Sequence, residues 1–173
     1  MSNQALIVID LQNDYFPQGK FPLWNTEHTL NNVKQAMIQA LQNNVLIVHV
    51  QHIADPKLGS APFFNHGTQG VDIHPQIMEI APQAQIVIKR YADGFHCTNL
   101  DEVLQQHNVS ELVLCGMMTQ NCITHTALSK TAEKYNVSVL SDCTTTVDEM
   151  VHKIALNALK PRIVLATTQQ IFG

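Results

Sequence analysis

Six short apolar runs rich in valine, isoleucine and leucine recur along the chain, separated by longer polar or mixed segments. Apolar residues follow one another almost without interruption in these runs, which is typical of parallel strands covered by helices on both faces. We therefore predict strands at residues 5–10, 45–50, 85–89, 111–115, 137–141 and 162–166.

Between the strands, apolar residues recur every three or four positions, as on one face of a helix. The first such face comprises Leu30, Val33, Met37 and Leu41. A shorter helix is predicted after an N-cap at Thr98, and two longer ones at residues 121–135 and 147–159. This alternation predicts an α/β fold: a three-layer α/β/α sandwich with a doubly wound, mostly parallel six-stranded sheet of Rossmann type, in a single domain spanning residues 1–173.

Residues 52–82 interrupt the alternation, with four prolines, three glycines and at most a short helix at residues 76–79. Long loops in compact domains are uncommon and often functional. This loop is therefore a candidate to lie beside a binding site.

Composition narrows the classes of partner. Lysine and arginine total 10, the formal charge is −4, and the basic residues form no cluster, which argues against a nucleic-acid partner. No apolar run reaches the roughly 18 residues of a membrane span, and the N-terminus lacks the pattern of an export signal. We expect a cytoplasmic protein that acts on a small molecule. The four cysteines include no C-x-x-C pair, so reduced thiols are expected.

Ligands of open α/β sheets bind beyond the carboxyl ends of the strands. Two predicted strands end at Asp10 and Lys89, and the turn after the fourth leads to Cys122. At the start of a helix, backbone N–H groups and the helix dipole would lower the pKa of a thiol and could also stabilise an oxyanion. Cys122 is thus the first candidate nucleophile, although position alone does not exclude Cys97 or Cys143.

Other roles are open for these residues from spacing alone. Cys115 lies within an apolar strand and is expected to be a buried core residue. A carboxylate such as Asp10 also caps turns, and an ammonium such as that of Lys89 is often simply solvated.

Four segments together resemble the isochorismatase-like cysteine hydrolases, a family that includes nicotinamidases, carbamoylsarcosine amidases and isochorismatase. They are ALIVIDLQNDYF at 5–16, QIVIK at 85–89, GMMTQNCI at 116–123 and SDC at 141–143. The resemblance implies a catalytic triad of Asp10, Lys89 and Cys122. It also implies a cis peptide between Met117 and Met118, and an oxyanion hole made by the N–H groups of Met118 and Cys122. No cofactor and a homodimer or larger homo-oligomer are expected.

The substrate pocket is expected to include the side chains of Tyr15, Phe16, Trp24, His52 and Phe95. Nicotinamidases bind a divalent metal through an Asp-x-His after the second strand, where this chain has His52 and Ala54. The resemblance therefore implies no metal site here.

Three functions follow as hypotheses. The first is hydrolysis of the C–N bond of a small uncharged carboxamide or ureido compound through a thioester on Cys122. The second is an isochorismatase-type hydrolysis of a vinyl ether. The third is a non-catalytic ligand-binding or redox-sensing domain, which would not need an Asp and a Lys beside its thiol. The chain has neither a G-x-S-x-G nor a G-x-G-x-x-G motif, which disfavours serine hydrolases and dinucleotide enzymes.

Overall fold

The computed structural model describes residues 3–173, which contain one six-stranded sheet in the order β3-β2-β1-β4-β5-β6. Every pair of neighbouring strands is parallel. The strands are β1 (Gln4–Ile9), β2 (Leu46–His52), β3 (Gln85–Lys89), β4 (Glu111–Met117), β5 (Asn136–Thr145) and β6 (Val164–Ala166). The predicted doubly wound parallel sheet is confirmed.

Helices cover both faces of the sheet, as expected for strands that are apolar on both sides. They are α1 (Thr26–Gln42), α2 (Pro75–Ile80), α3 (Leu100–Gln106), α4 (Thr124–Ala127), α5 (Glu149–Leu159) and α6 (Thr168–Phe172). One core packs α1, α2 and α6 against the sheet, and a second packs α3, α4 and α5 against its other face. Within residues 3–173, no helix has the length and apolar character of a membrane span.

The predicted long helix at residues 121–135 is wrong. The segment forms a π-helical turn (Thr119–Ile123), the four-residue α4 and a separate 3-10 turn (Thr131–Lys134). Its threonines and serine are weak helix formers, and the two short helices bury Ala127 and Ala132.

Other boundaries also differ from the predictions. The exposed fraction of Leu41 is 46%, so it does not belong to the buried face of α1. The N-cap of α3 is Asn99, while the hydroxyl of Thr98 accepts a hydrogen bond from the N–H of Leu100. Strand β2 continues two residues further than predicted, to His52, and α6 was not predicted.

The connections from β1 and β4 lead to opposite sides of the sheet, which creates a crevice at the carboxyl ends of these two strands. The strands approach closely at Gly116, whose φ is +122° and where a Cβ atom would lie 1.9 Å from the carbonyl oxygen of Ile9. Only glycine satisfies both conditions. Gly116 therefore permits the close contact between the two strand ends.

The long loop after β2 is anchored against the segment after β1. The buried carboxylate of Asp14 accepts hydrogen bonds from the N–H groups of Lys20 at 3.1 Å and Phe64 at 2.8 Å. Gly70 packs against this carboxylate so closely that a Cβ there would lie 2.1 Å from Oδ1. The loop is thus fixed beside the carboxyl end of β1.

Candidate active site

The three predicted catalytic side chains meet at the carboxyl edge of the sheet. The Lys89 ammonium lies 3.0 Å from Oδ2 of Asp10 and 3.1 Å from Sγ of Cys122. The exposed fractions are 0% for Asp10, 1% for Lys89 and 2% for Cys122. A carboxylate, an ammonium and a thiol therefore share one water-excluded site.

Local backbone geometry directs the two reactive groups into this site. Asp10 follows β1 in a left-handed conformation, with φ of 54°, and its N–H donates to the carbonyl of Val50 at 2.9 Å. A buried aspartate in this sparsely populated region is typical of functional positions. Cys122 lies in the π-helical turn after β4, and the peptide between Met117 and Met118 is cis, as the resemblance implies.

The pKa of the Cys122 thiol is raised to about 12, first by burial and then by the nearby Asp10 charge, while Lys89 acts in the opposite direction. The expectation that the helix start lowers this pKa is therefore wrong. A π-helical turn followed by four α-helical residues provides little dipole, and removing the thiol from water disfavours the thiolate more strongly. At neutral pH the resting side chain is the protonated thiol.

The Lys89 ammonium stays charged in spite of its burial. Burial disfavours the charged form, but the charge of Asp10 and the interactions with Cys122 outweigh it and raise the pKa of Lys89. The Asp10 carboxylate lies beside both this ammonium and the Cys122 thiol. It is therefore placed to accept the proton of the thiol.

His52 and a backbone carbonyl complete the surroundings of the ammonium. Nδ1 of His52 lies 3.0 Å from the Lys89 Nζ atom, and the carbonyl of Tyr91 accepts a hydrogen bond from it at 3.1 Å. An ammonium has three N–H groups and here faces four acceptors. All its hydrogens are thus engaged by the protein.

Gln12 is a site residue that the sequence analysis did not single out. Its side-chain amide accepts a hydrogen bond from the His52 N–H and donates to the His52 carbonyl, both at 2.8 Å. The same amide nitrogen donates to the carbonyl of Val71 at 2.7 Å. Its place two residues after Asp10, at a strand end, was the available signal.

Aromatic side chains surround this edge of the site. Tyr15 is 2% exposed, and burial together with the charges of Asp10 and Cys122 raises its pKa, which places its ring beside the triad. The Tyr15 ring centroid lies 4.6 Å from that of Phe64 and 5.5 Å from that of Phe63. The His52 ring lies 5.8 Å from Phe64. Tyr15, Phe63 and Phe64 thus pack together as one aromatic cluster.

The other proposed pocket residues lie in different surroundings. Phe16 packs on His74, with centroids 4.5 Å apart, and lines a cavity of about 720 Å³ formed with the loop after β2. Trp24 lies 5.9 Å from the ring of His152, which contacts the Thr119 hydroxyl at 2.8 Å. Phe95 stacks on Tyr135 in the core that also includes Cys122. A substrate contact for Phe16, Trp24 or Phe95 stays a prediction.

The remaining cysteines differ from Cys122 in their surroundings. All four are free, as expected. Cys115 and Cys143 are fully buried in the opposite core, and burial raises the pKa of both thiols. Cys97 is exposed, with its sulfur 3.7 Å from Nε2 of His96. Within residues 3–173, neither Cys97 nor Cys143 has a carboxylate and an ammonium arranged as at Cys122.

A metal does not fit the donor set of this site. One potential ligand atom each from Asp10, His52 and Cys122 lies within 4.8 Å of the other two. The Lys89 ammonium already contacts all three side chains at 3.0 to 3.1 Å. A dication on the same atoms would meet this buried positive charge at short range, where Coulomb repulsion is strong.

Comparison with known proteins assigns this chain to a family. The model of the Isochorismatase domain matches residues 4–171. The chain belongs to the isochorismatase family. The uncharacterized isochorismatase family protein YddQ of Bacillus subtilis is 37% identical over 151 residues, covering 87% of this chain and 82% of the relative. The family and its curated amidohydrolase members support a hydrolase.

A second relative and a solved structure extend the comparison. Maleamate amidohydrolase of Pseudomonas putida is 28% identical over 151 residues, covering 80% of this chain and 70% of the relative. The crystal structure of an isochorismatase-like hydrolase from Alkaliphilus metalliredigens superposes with a TM-score of 0.87 at 28% identity, covering 99% of this chain and 98% of that one. The fold of this isochorismatase-family chain is therefore that of its structural relatives.

Proposed function

We propose that this isochorismatase-family protein is an amidohydrolase that cleaves the C–N bond of a small uncharged carboxamide or ureido compound. Cys122 is the nucleophile, Asp10 the general base and acid, and Lys89 the cation that stabilises the thiolate. The observation that carries this proposal is the buried Lys89 ammonium in contact with both the Asp10 carboxylate and the Cys122 sulfur.

The charges of the cluster support proton transfer from sulfur to carboxylate. At rest Lys89 is positive, Asp10 negative and the thiol neutral. Moving the thiol proton to Asp10 leaves a thiolate, a neutral carboxylic acid and the same ammonium, so the cluster has zero net charge before and after. No uncompensated charge is created in the buried site, where it would be costly.

In the first half-reaction, the Cys122 sulfur attacks the substrate carbonyl as its proton passes to Asp10. The carbonyl oxygen becomes an oxyanion, for which we propose the N–H groups of Met118 and Cys122 as donors. When the tetrahedral intermediate collapses, the C–N bond breaks and Asp10 returns the proton to the departing nitrogen. The products are ammonia, or an amine, and a thioester on Cys122.

In the second half-reaction, Asp10 takes a proton from a water molecule that attacks the thioester carbonyl. The C–S bond breaks, the acid product forms, and the proton returns from Asp10 to the Cys122 sulfur. General acid–base catalysis of this kind contributes roughly 100- to 10,000-fold.

Two further observations support this proposal, the first on the bond that is cleaved and the second on the charge of the substrate. A curated relative is named for amide hydrolysis. In the cluster, the charge of Lys89 is already matched by Asp10, and all its hydrogens face protein acceptors. An anionic group on the substrate would find no unpaired cation there.

The test is ammonia release by wild type and Cys122→Ala from a panel of small amides, in which the uncharged nicotinamide is compared with the anionic ureido acids and maleamate. Release from the uncharged amide should exceed release from the anions. Release by the wild type that disappears in the variant is expected. Asp10→Asn, which keeps the size of the side chain, should lose at least about 100-fold in kcat. Release that persists in Cys122→Ala contradicts covalent catalysis. The absence of release from every amide contradicts the amidase proposal, and isochorismate is then the next substrate.

A further inference from the structure

His52 is the last residue of β2, and its side chain contacts Lys89 of the triad. Strands β2 and β3 are parallel and in register, with His52 opposite Lys89. Neighbouring residues of paired strands point to the same face, so both side chains are directed to the same side of the sheet. Their contact, 3.0 Å between Nδ1 and Nζ, follows from this register.

The contact fixes the protonation of the imidazole. The ammonium offers only hydrogens, so Nδ1 presents its lone pair and the ring hydrogen resides on Nε2. Burial and then the charge of Lys89 lower the pKa of His52, while Asp10 acts in the opposite direction. His52 is therefore a neutral acceptor beside the ammonium.

The backbone of His52 is held on both sides by one buried side chain. The Gln12 amide pairs with both the N–H and the C=O of His52, as a neighbouring strand would. Because Gln12 follows Asp10 by two residues, these hydrogen bonds tie the position of His52 to that of the carboxylate. The position of His52 is thus coupled to that of Asp10 through Gln12.

We propose that His52 is a positioning residue for the reaction: its Nδ1 lone pair holds the Lys89 ammonium where it faces both Asp10 and Cys122. Without this acceptor, Nζ is no longer held from the side of His52 and is free to move toward Asp10 and the Tyr91 carbonyl, away from the sulfur. His52 thereby acts on the thiolate through Lys89. The consequence for turnover rests on the proposed amidohydrolase function, whereas the consequence for the thiol does not.

The sharpest test compares two polar replacements. In asparagine the side-chain oxygen lies at the position of Nδ1, and in glutamine the amide group extends toward that of Nε2. We expect His52→Gln to lower kcat about 10- to 100-fold, the effect of a lost hydrogen bond to a charged group, with little change in KM. His52→Asn should retain at least about tenfold more kcat than His52→Gln. The same two changes at the exposed His107, His107→Gln and His107→Asn, are the matched controls.

A second readout is independent of any substrate. The rate at which iodoacetamide alkylates Cys122 at a given pH reports the thiolate fraction. This rate should fall in His52→Gln and recover in His52→Asn, with both variants compared at equal folded fraction by circular dichroism. If the wild type hydrolyses no amide, the amidase proposal fails while alkylation still decides the role of His52.

Three results would overturn the role of His52. Equal kcat in the asparagine and glutamine variants would show that the acceptor at Nδ1 is irrelevant. A loss confined to KM would make His52 a substrate contact. An alkylation rate that is unchanged in both variants would show that His52 does not act on the thiolate.

Discussion

The acidity of the Cys122 thiol is the most exacting test of the site. Burial and the adjacent Asp10 raise its pKa from an ordinary 9.0 to about 12. Each pH unit changes the thiolate fraction tenfold, so at pH 7 the site holds roughly 1000-fold less thiolate than an ordinary cysteine. The proposed mechanism then requires Asp10 to take the proton during attack.

The assay is alkylation of Cys122 by iodoacetamide from pH 6 to pH 10, with each cysteine quantified by peptide mass spectrometry. The rate at Cys122 should rise about tenfold per pH unit across the whole range without levelling off. Restricted access to a buried thiol lowers the rate at every pH and leaves this slope unchanged. The exposed Cys97 serves as an internal reference for reagent and protein integrity.

A plateau below pH 9 would refute this reasoning. It would mean that the pKa of the Cys122 thiol lies below its ordinary value, and that Lys89 and the backbone N–H groups of the turn outweigh burial. The expectation drawn from the position of Cys122 at a helix start would then be restored. Asp10 would in that case be needed only for the later proton transfers.

Two predictions concern stability, measured by urea unfolding. Gln12→Leu leaves two backbone groups, the N–H and C=O of His52, without this partner, while the C=O of Val71 keeps its hydrogen bond from Gln51; the change should cost about 2 to 4 kcal/mol. A cost below about 0.5 kcal/mol would contradict a stabilising role for the hydrogen bonds between Gln12 and His52. Gly116→Ala places a Cβ 1.9 Å from a backbone oxygen and should cost about 4 kcal/mol or more, well above Gly59→Ala, where φ is also positive but nothing lies within 4 Å. Equal costs at the two glycines would show that the clash is relieved.

Much of the fold follows from the sequence because its strands are buried on both faces. Continuous apolar runs identify such strands without reference to the rest of the chain, and all six runs became strands of one sheet. The convergence of Asp10, Lys89 and Cys122 follows from the same rule, since carboxyl ends of parallel strands share one edge. The family resemblance adds the cis peptide after Met117.

The predictions are wrong or incomplete where contacts between distant parts of the chain determine the structure. Apolar spacing at residues 121–135 is equally satisfied by one helix or by two short ones, and the sequence does not distinguish them. The direction of the Cys122 pKa depends on how completely the site excludes water, which no local pattern encodes. The contact between His52 and Lys89 depends on the extension of β2 by two residues and on its register with β3.

The glycine at position 116 has a consequence for protein engineering. A designer who transfers an aspartate, a lysine and a cysteine onto another parallel sheet reproduces the chemical groups but not their separation. Ordinary neighbouring strands carry a Cβ at every such position, whereas here its absence lets β4 pass against the carbonyl of Ile9. A scaffold search should therefore begin with a side-chain-free position at the end of a central strand, and choose the reactive residues afterwards.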